Sequence, residues 1–195
     1  MSLNPQYVSG HGLLKGRSVL ITAAAGAGIG FSAARRCAEE GCRALMISDI
    51  HPRRLEEAVA KLKEETGLAE IYGQLCNVTN EAEVQALVAA AEAQLGGVDV
   101  LINNAGLGGQ KRVVDMTDDE WDRVLNVTLT SVMRATRAAL RYFRDVEHGG
   151  DLVPDGGEVR LGDRLQSLVG AADQGVDGRA HIRRLDAIEW GQVVG

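Results

Sequence analysis

The sequence predicts an α/β protein, a doubly wound parallel sheet with helices on both faces. Short apolar runs alternate with amphipathic stretches of helical period along residues 1–148, as in successive β-α-β units. The 195 residues are 45% hydrophobic and 25% charged, which supplies enough apolar material for the core of one domain. We expect this domain to span 1–148 and an atypical, irregular tail to occupy 149–195.

Charge, cysteine and histidine content exclude several classes of function. The net charge is −6 and the basic residues are scattered, so no nucleic-acid-binding surface is expected. No apolar run approaches the ~18 residues of a membrane span, and residues 1–16 lack the pattern of a secretory signal. Cys37, Cys42 and Cys76 lie in apolar segments, which predicts reduced packing residues in a cytoplasmic protein. The four histidines form no metal-ligand motif, so no metal is expected.

Four apolar runs predict the strands, at residues 17–22, 43–48, 69–76 and 98–103. The first helix should end at Gly41, because glycine readily adopts the left-handed conformation of a helix exit. Its apolar positions are Ile29, Ala33, Ala34, Cys37 and Ala38. Pro52 suits the first turn of the second helix, which should end before Gly67. Its apolar stripe is Leu55, Ala58, Val59 and Leu62.

Two capping-box patterns predict the starts of the remaining helices. Asn80 with Glu83 opens a helix that continues to Gly96, with an apolar face of Val84, Leu87, Val88, Ala91 and Leu95. Thr117 with Glu120 opens a single long helix that continues to Phe143. Its expected buried face is Trp121, Val124, Leu125, Thr128, Leu129, Val132, Ala135, Ala139, Leu140 and Phe143.

A glycine-rich turn, TAAAGAGIG from Thr22 to Gly30, follows the first strand. Its glycines let the backbone approach a ligand, and the next helix directs free N–H groups and its positive dipole end at a diphosphate. Such turns also occur without a ligand. Asp49 ends the second strand, where a carboxylate can accept both hydroxyls of an adenosine ribose and would repel a 2′-phosphate. The pattern therefore predicts a Rossmann-type sheet that binds NAD rather than NADP. The alternative is that Asp49 only caps the following turn.

The glycine-rich turn, Asp49 and the sequence Asn103-Asn104-Ala105-Gly106 after the fourth strand together resemble the short-chain dehydrogenase/reductase family. The resemblance covers about residues 13–150. The asparagine motif separates the chain from methyltransferases that use S-adenosylmethionine, which share the glycine turn and the acidic residue. Residues 107–145 are further similar to actinobacterial members linked to steroid-ring breakdown. The resemblance implies an NAD-dependent oxidoreductase that interconverts a small hydrophobic secondary alcohol and a ketone, in a family that is usually homo-oligomeric.

The resemblance also implies roles for individual residues around the dinucleotide. Gly28, Ile29 and Gly30 would face the pyrophosphate, and Asp49 would hold the adenosine ribose. Asn77 and Val78 would lie beside the adenine, Asn104, Ala105 and Gly106 would line the ribose wall, and Val127 would lie near the nicotinamide.

Three positions depart from the family pattern. Ala24 stands where the first glycine usually lies, and Gly26 is expected to accommodate the turn in its place. Asn77 replaces the usual aspartate, which weakens the expected recognition of adenine. Thr128 occupies the position of the family's active-site asparagine, and an ordinary place on the helix face is the alternative interpretation.

The proton-transfer residues of the family do not occur in these 195 residues. In the family a Tyr followed four residues later by Lys, with an upstream Ser, carries the chemistry, because the ammonium brings the tyrosine pKa down from about 10. Here the last tyrosine, Tyr142, is followed by Val146, and the last lysine is Lys111. The titratable groups of the tail, which are His181, Asp186 and Glu189, are expected to be solvated. No catalytic residue is therefore assigned.

Composition changes abruptly at residue 149. The tail holds ten glycines, six aspartates and five arginines but no Lys, Asn, Thr, Tyr, Phe, Met or Cys, residue types that depend on AT-rich codons. One hypothesis is a dehydrogenase truncated after its fifth helix, whose C-terminal third, including the family's interface helix, was replaced through a frameshift, a deletion or a misjoined reading frame. The missing residue types are those expected to disappear when a GC-rich gene is read out of frame. The other is a genuine non-catalytic NAD-binding or interaction module with a glycine-rich extension.

Overall fold

A computed structural model describes residues 7–108 and 111–147, the last five of these by their backbone alone. Four parallel strands form one sheet in the order β3-β2-β1-β4. They are β1 (Ser18–Ile21), β2 (Ala44–Asp49), β3 (Ile71–Leu75) and β4 (Val100–Ile102). The predicted tail 149–195 lies outside the described residues.

The helices cover both faces of this sheet, so the predicted doubly wound α/β fold is confirmed. They are α1 (Ile29–Glu39), α2 (Pro52–Thr66), α3 (Glu81–Leu95), α4 (Asp118–Leu125) and α5 (Ser131–Glu147). Alternate side chains of a strand point to opposite faces. Val19 and Ile21 of β1 accordingly pack in one apolar cluster with α1 and α2. Leu20, which lies between them, packs in a second cluster with α3 and α5.

The helix ends and the cysteines agree with the sequence predictions. Gly41 and Gly67, which follow α1 and α2, have φ angles of 79° and 71°. All three cysteines are buried and unpaired. Burial raises the pKa of Cys37 to about 12 and those of Cys42 and Cys76 to about 11, so these thiols are inert packing groups. None of the helices in the described ranges is long and apolar enough to cross a membrane.

Two local predictions were wrong. Ile29 does not join the buried face of α1, because it is the first residue of the helix and is 84% exposed. Asn80 does cap α3, accepting hydrogen bonds from the N–H groups of Ala82 and Glu83. The Glu83 carboxylate, however, accepts from the Asn77 N–H at 2.7 Å, so the reciprocal bond of a capping box does not form.

The predicted long helix from Thr117 to Phe143 forms with helical backbone throughout, but it is not one uninterrupted α-helix. Thr117 and Glu120 do form a capping box, but α4 ends at Leu125 and a π-helical turn, Asn126–Thr130, separates it from α5. A π turn inserts an extra residue into the helical repeat and shifts the following side chains to a new face. Leu129, within this turn, is 65% exposed although it fits a continuous helical stripe. Trp121 lies in α4, before the turn, and is also 52% exposed. Of the predicted face, Ala135 and Ala139 are fully buried.

Candidate functional site

The carboxyl ends of β1, β2 and β4 meet at one edge of the sheet, where the glycine turn, Asp49 and Asn104 lie. Asn77 and Val78 follow the neighbouring β3, and Val78 packs against the apolar cluster that contains Leu20. β1 is central, with β2 on one side and β4 on the other. The chain leaves β1 and β4 toward helices on opposite faces, which opens a crevice between their loops. In open α/β sheets a crevice of this kind is where ligands bind.

A hydrogen-bonded junction joins the loops that follow β1 and β4. The Asn104 amide nitrogen donates to the carbonyls of Thr22 at 3.0 Å and Ala23 at 2.8 Å. The Thr22 hydroxyl accepts from the N–H groups of Asn104 at 3.0 Å and Ala105 at 3.1 Å. Asn104 and Ala105 are therefore fixed against the glycine turn. This role of Thr22 was not identified from the sequence. Its only sequence signal is its position directly after β1.

Gly28 and Gly30 have different surroundings in the glycine turn. A Cβ at Gly30 would lie 2.4 Å from the Asn104 amide nitrogen, so this position keeps the junction closed. At Gly28 an added Cβ would meet no protein atom within 4 Å, which leaves open space beside the helix N-terminus. Ala24 is fully buried beneath the turn, and its N–H donates to the Ser48 carbonyl.

The N-terminus of α1 has the features of an anion site. Gly28 is the N-cap and supplies no capping side chain, and the first turn contains no acidic residue. The first N–H groups of a helix lack intrahelical partners and carry a positive partial charge. The free N–H groups and the open space at Gly28 fit a diphosphate.

The carboxylate of Asp49 is oriented by two backbone donors. One oxygen accepts from the Ala25 N–H at 3.3 Å and the other from the His51 N–H at 3.0 Å. The first bond ties Asp49 to the glycine turn, and the second is the turn cap that the alternative interpretation proposed. Each carboxylate oxygen has two lone pairs, so both oxygens retain the capacity to accept a ligand hydroxyl.

A cavity of about 670 Å³ lies beside Asp49, with Ile50, Asn77 and Val127 in its wall. Asn77, expected beside the adenine, and Val127, expected near the nicotinamide, thus border the same cavity. Asn126 also lines it, and the Asn126 amide oxygen accepts from the Arg134 guanidinium at 2.7 Å.

Thr128 links the π turn to the loop after β4. Its hydroxyl accepts from the Leu107 N–H at 3.1 Å and donates to the Leu107 carbonyl at 3.2 Å. Leu107 borders a second cavity of about 220 Å³ together with Met116 and Glu120. The Lys111 ammonium, 2.5 Å from the Glu120 carboxylate, holds the pKa of that carboxyl at about 2. Through its two hydrogen bonds with Leu107, Thr128 thus connects the π turn to the loop after β4 and does more than occupy a helix face.

Within 7–108 and 111–147, no group of three or more His, Cys, Asp or Glu side chains could hold a metal ion. The tail residues His181, Asp186 and Glu189 lie outside the described residues. The described part of the site is therefore a set of hydrogen-bonding and apolar groups around a glycine turn.

Replacing Thr128 with valine should loosen the loop after β4. The change keeps the shape of the side chain and removes both hydrogen bonds to Leu107, each worth about 1 kcal/mol. We expect the Leu107 amide to exchange its hydrogen about ten times faster, with global stability lowered by about 1 kcal/mol or less because Thr128 is exposed. Thr128→Ser, which keeps the hydroxyl, is the control, and equal exchange in all three proteins would contradict the proposed link.

Comparisons with known proteins identify the family of this chain. A family model described as short chain dehydrogenase matches residues 17–154. The chain is 51% identical over 192 residues to the (5R,7aS)-5-hydroxy-7a-methyl-1-oxo-2,3,5,6,7,7a-hexahydro-1H-indene-carboxyl-CoA reductase of Mycobacterium tuberculosis, covering 98% of this chain and 72% of the relative. It is 37% identical over 146 residues to 3beta-hydroxysteroid dehydrogenase 2 of Eggerthella lenta, covering 72% of this chain and 53% of that protein.

A solved structure of a short chain dehydrogenase from Mycobacterium smegmatis superimposes with a TM-score of 0.70 at 59% identity. The match covers 74% of this chain and 59% of that one. The chain thus spans between about half and three quarters of the length of these relatives. The family model, the identities and the shared fold together show that the chain belongs to the short-chain dehydrogenase family.

Proposed function

We propose that this chain forms the dinucleotide-binding part of an NAD-dependent oxidoreductase that interconverts a secondary alcohol and a ketone. The observation that carries the proposal is the convergence of the open helix N-terminus at Gly28, the oriented Asp49 carboxylate and the Thr22–Asn104 junction at one sheet edge. NAD⁺, when bound, accepts a hydride from the alcohol carbon, and NADH returns it to a ketone.

The chain's own residues bind and orient the dinucleotide. The N–H groups at the start of α1 would neutralise the pyrophosphate, and Asp49 would accept the hydroxyls of the adenosine ribose. Asn104, Ala105 and Gly106 would form the wall beside the second ribose. Val127 and Asn77 would contact the dinucleotide from the cavity that they share.

The charges around Asp49 favour NAD over NADP. A 2′-phosphate would meet the Asp49 carboxylate, and close like charges repel at low local dielectric. Arg53 and Arg54 lie nearby and could offset part of this repulsion, and of these two Arg53 donates to Glu57 at 2.8 Å. The three buried, unpaired thiols support a reducing, cytoplasmic location.

The relatives support a fused-ring substrate. One acts on an indene-carboxyl-CoA thioester with a hydroxyl and a ketone, and another on a 3β-hydroxysteroid. The smaller cavity has a mixed wall, in which Leu107, Met116 and Val124 offer apolar contact to a hydrocarbon ring beside the charged Lys111, Glu120 and Arg123. We therefore propose a steroid-derived, fused-ring alcohol or ketone as the substrate class.

Replacing Asp49 with alanine should weaken NADH binding about tenfold or more, because charge-assisted bonds to ribose hydroxyls are lost. Binding of NADPH should weaken less, because the repulsion of its 2′-phosphate is relieved. Nicotinamide fluorescence titrations of both dinucleotides measure the difference. Asp115→Ala, which removes the same charge outside the site, is the control. Equal losses for the two dinucleotides would remove Asp49 from the ribose role.

Replacing Gly28 with alanine should weaken NADH binding about tenfold by filling the open space beside the helix N-terminus, while stability changes by about 1 kcal/mol at most. The same substitution at Gly30 should instead destabilise the fold, since the new Cβ would collide with Asn104. Titrations with NADH and thermal unfolding of both variants separate the two effects. Undiminished NADH binding by the folded Gly28 variant would count against a pyrophosphate at this position.

A second candidate function is NAD binding without catalysis. The absence of a Tyr-x-x-x-Lys sequence from these 195 residues favours it, because general acid–base help from that pair is lost. In this case the chain would act as a binding or interaction module.

Turnover distinguishes the two functions. With NAD⁺ and a panel of fused-ring secondary alcohols that includes 3β-hydroxysteroids, we expect NADH formation at roughly 10⁻² to 10⁻⁴ of the rate of the Mycobacterium tuberculosis relative or lower. Saturable NADH binding without turnover would support the module. Turnover at the relative's rate would show that other residues supply the proton transfer.

A further inference from the structure

The amide group of Asn77 is locked in one orientation. Its oxygen accepts from the Thr79 N–H at 3.0 Å and from the Thr79 hydroxyl at 2.8 Å. Rotating the amide by half a turn would direct its NH₂ group at the Thr79 N–H, which can only donate. The two bonds to Thr79 therefore determine which end of the amide remains available to a ligand.

The amide nitrogen is the polar group that Asn77 retains for a ligand. The Asn77 backbone N–H donates to Glu83 at 2.7 Å, and its carbonyl accepts from the Asn80 N–H at 2.9 Å. The side-chain oxygen accepts from Thr79, so every polar atom of Asn77 except the amide nitrogen has a hydrogen-bond partner. Among the residues that the structure describes, the amide nitrogen has no partner.

Asn77 borders the place where a purine attached to the Asp49-bound ribose would lie. Asn77 and Ile50 line the same cavity, and Ile50 directly follows Asp49 in the chain. Ile50 is 56% exposed and offers an apolar surface to a flat ring. A base lying against Ile50 would thus present its polar edge to a wall that contains Asn77.

We propose that Asn77 reads the purine base as a hydrogen-bond donor, so that the site accepts a 6-keto purine at least as well as adenine. Adenine carries an amino donor at C6, whereas a 6-keto purine carries an acceptor oxygen there. Adenine offers a donor only its ring nitrogens, so a donor that faces the amino group directly leaves both groups unpaired, which costs affinity. An aspartate at this position would keep the oxygen on Thr79 and replace the amide donor with an acceptor suited to adenine.

The inference rests on the proposed binding of a dinucleotide, and it is tested with two of them. The probes are NADH and reduced nicotinamide hypoxanthine dinucleotide, which differ at C6 of the purine. Dissociation constants come from nicotinamide fluorescence with the full 195-residue chain, and the measured quantity is their ratio. The test variant is Asn77→Asp, which is isosteric and keeps the bonds to Thr79.

Asn126→Asp is the matched control, because it adds the same charge to the same cavity and keeps an oxygen for Arg134. The unsubstituted chain should bind the hypoxanthine dinucleotide at least as tightly as NADH. Asn77→Asp should shift the ratio about tenfold toward NADH, and Asn126→Asp should leave the ratio unchanged, since an added charge acts on both dinucleotides alike.

Two results would overturn the inference. One is a several-fold preference of the unsubstituted chain for NADH that Asn77→Asp leaves unchanged. The other is an equal shift in both variants, which would assign the effect to charge. If the folded chain binds neither dinucleotide, the proposed function itself fails, and this outcome is distinct from the first two.

Discussion

The junction between Thr22 and Asn104 is the interaction on which the rest of the site depends. Four hydrogen bonds join the loop after β1 to the loop after β4, across more than 80 positions of sequence. They also hold Ala23 at a φ of 52°, a conformation that costs a non-glycine residue about 1–2 kcal/mol. If the glycine turn moved away from β4, these hydrogen bonds would break and leave partly or fully buried polar groups unpaired. Such groups are costly to leave without partners, so the turn is held in place.

This constraint explains why two glycines in one turn have different roles. Gly30 is packed against the Asn104 amide, so its missing side chain serves the protein's own contacts. Gly28 faces open space, so its missing side chain leaves room at the helix N-terminus. The turn is therefore rigid on the side that contacts β4 and open on the side that faces the crevice. A backbone arranged in this way presents its N–H groups to an anion without needing to reorganise.

The segment from α4 to α5 is anchored from both sides in a similar way. Thr128 binds the backbone of Leu107, and Asn126 accepts from Arg134, whose helix is joined to α3 by the ion pair between Arg137 and Glu81. The π turn lies between these anchors and borders the larger cavity. Because the π turn changes the helical phase, neighbouring residues reach both the cavity and the loop after β4.

Much of the fold could be predicted because its signals are local. The apolar runs, Pro52 and the exits at Gly41 and Gly67 depend on backbone preferences within a few residues, and β1, β2, α1 and α2 were predicted to within two residues. The places of Asp49 and Asn104 at the sheet edge followed from the same alternation, because parallel strands bring their carboxyl ends together.

The remaining features could be decided only by the tertiary structure. The π turn at Asn126–Thr130 could not be predicted from the sequence, because the apolar spacing of this segment fits one α-helix. The hydrogen bonds of Thr128 with Leu107 and of Asn126 with Arg134 leave no trace in that spacing. The role of Thr22 requires Asn104, 82 positions away, to be placed against it. Sequence by itself determined which elements form and which residues stand at their ends. Contacts between distant segments decided where each hydrogen-bonding group points, because a side chain's free donor or acceptor is known only once its other partners are in place.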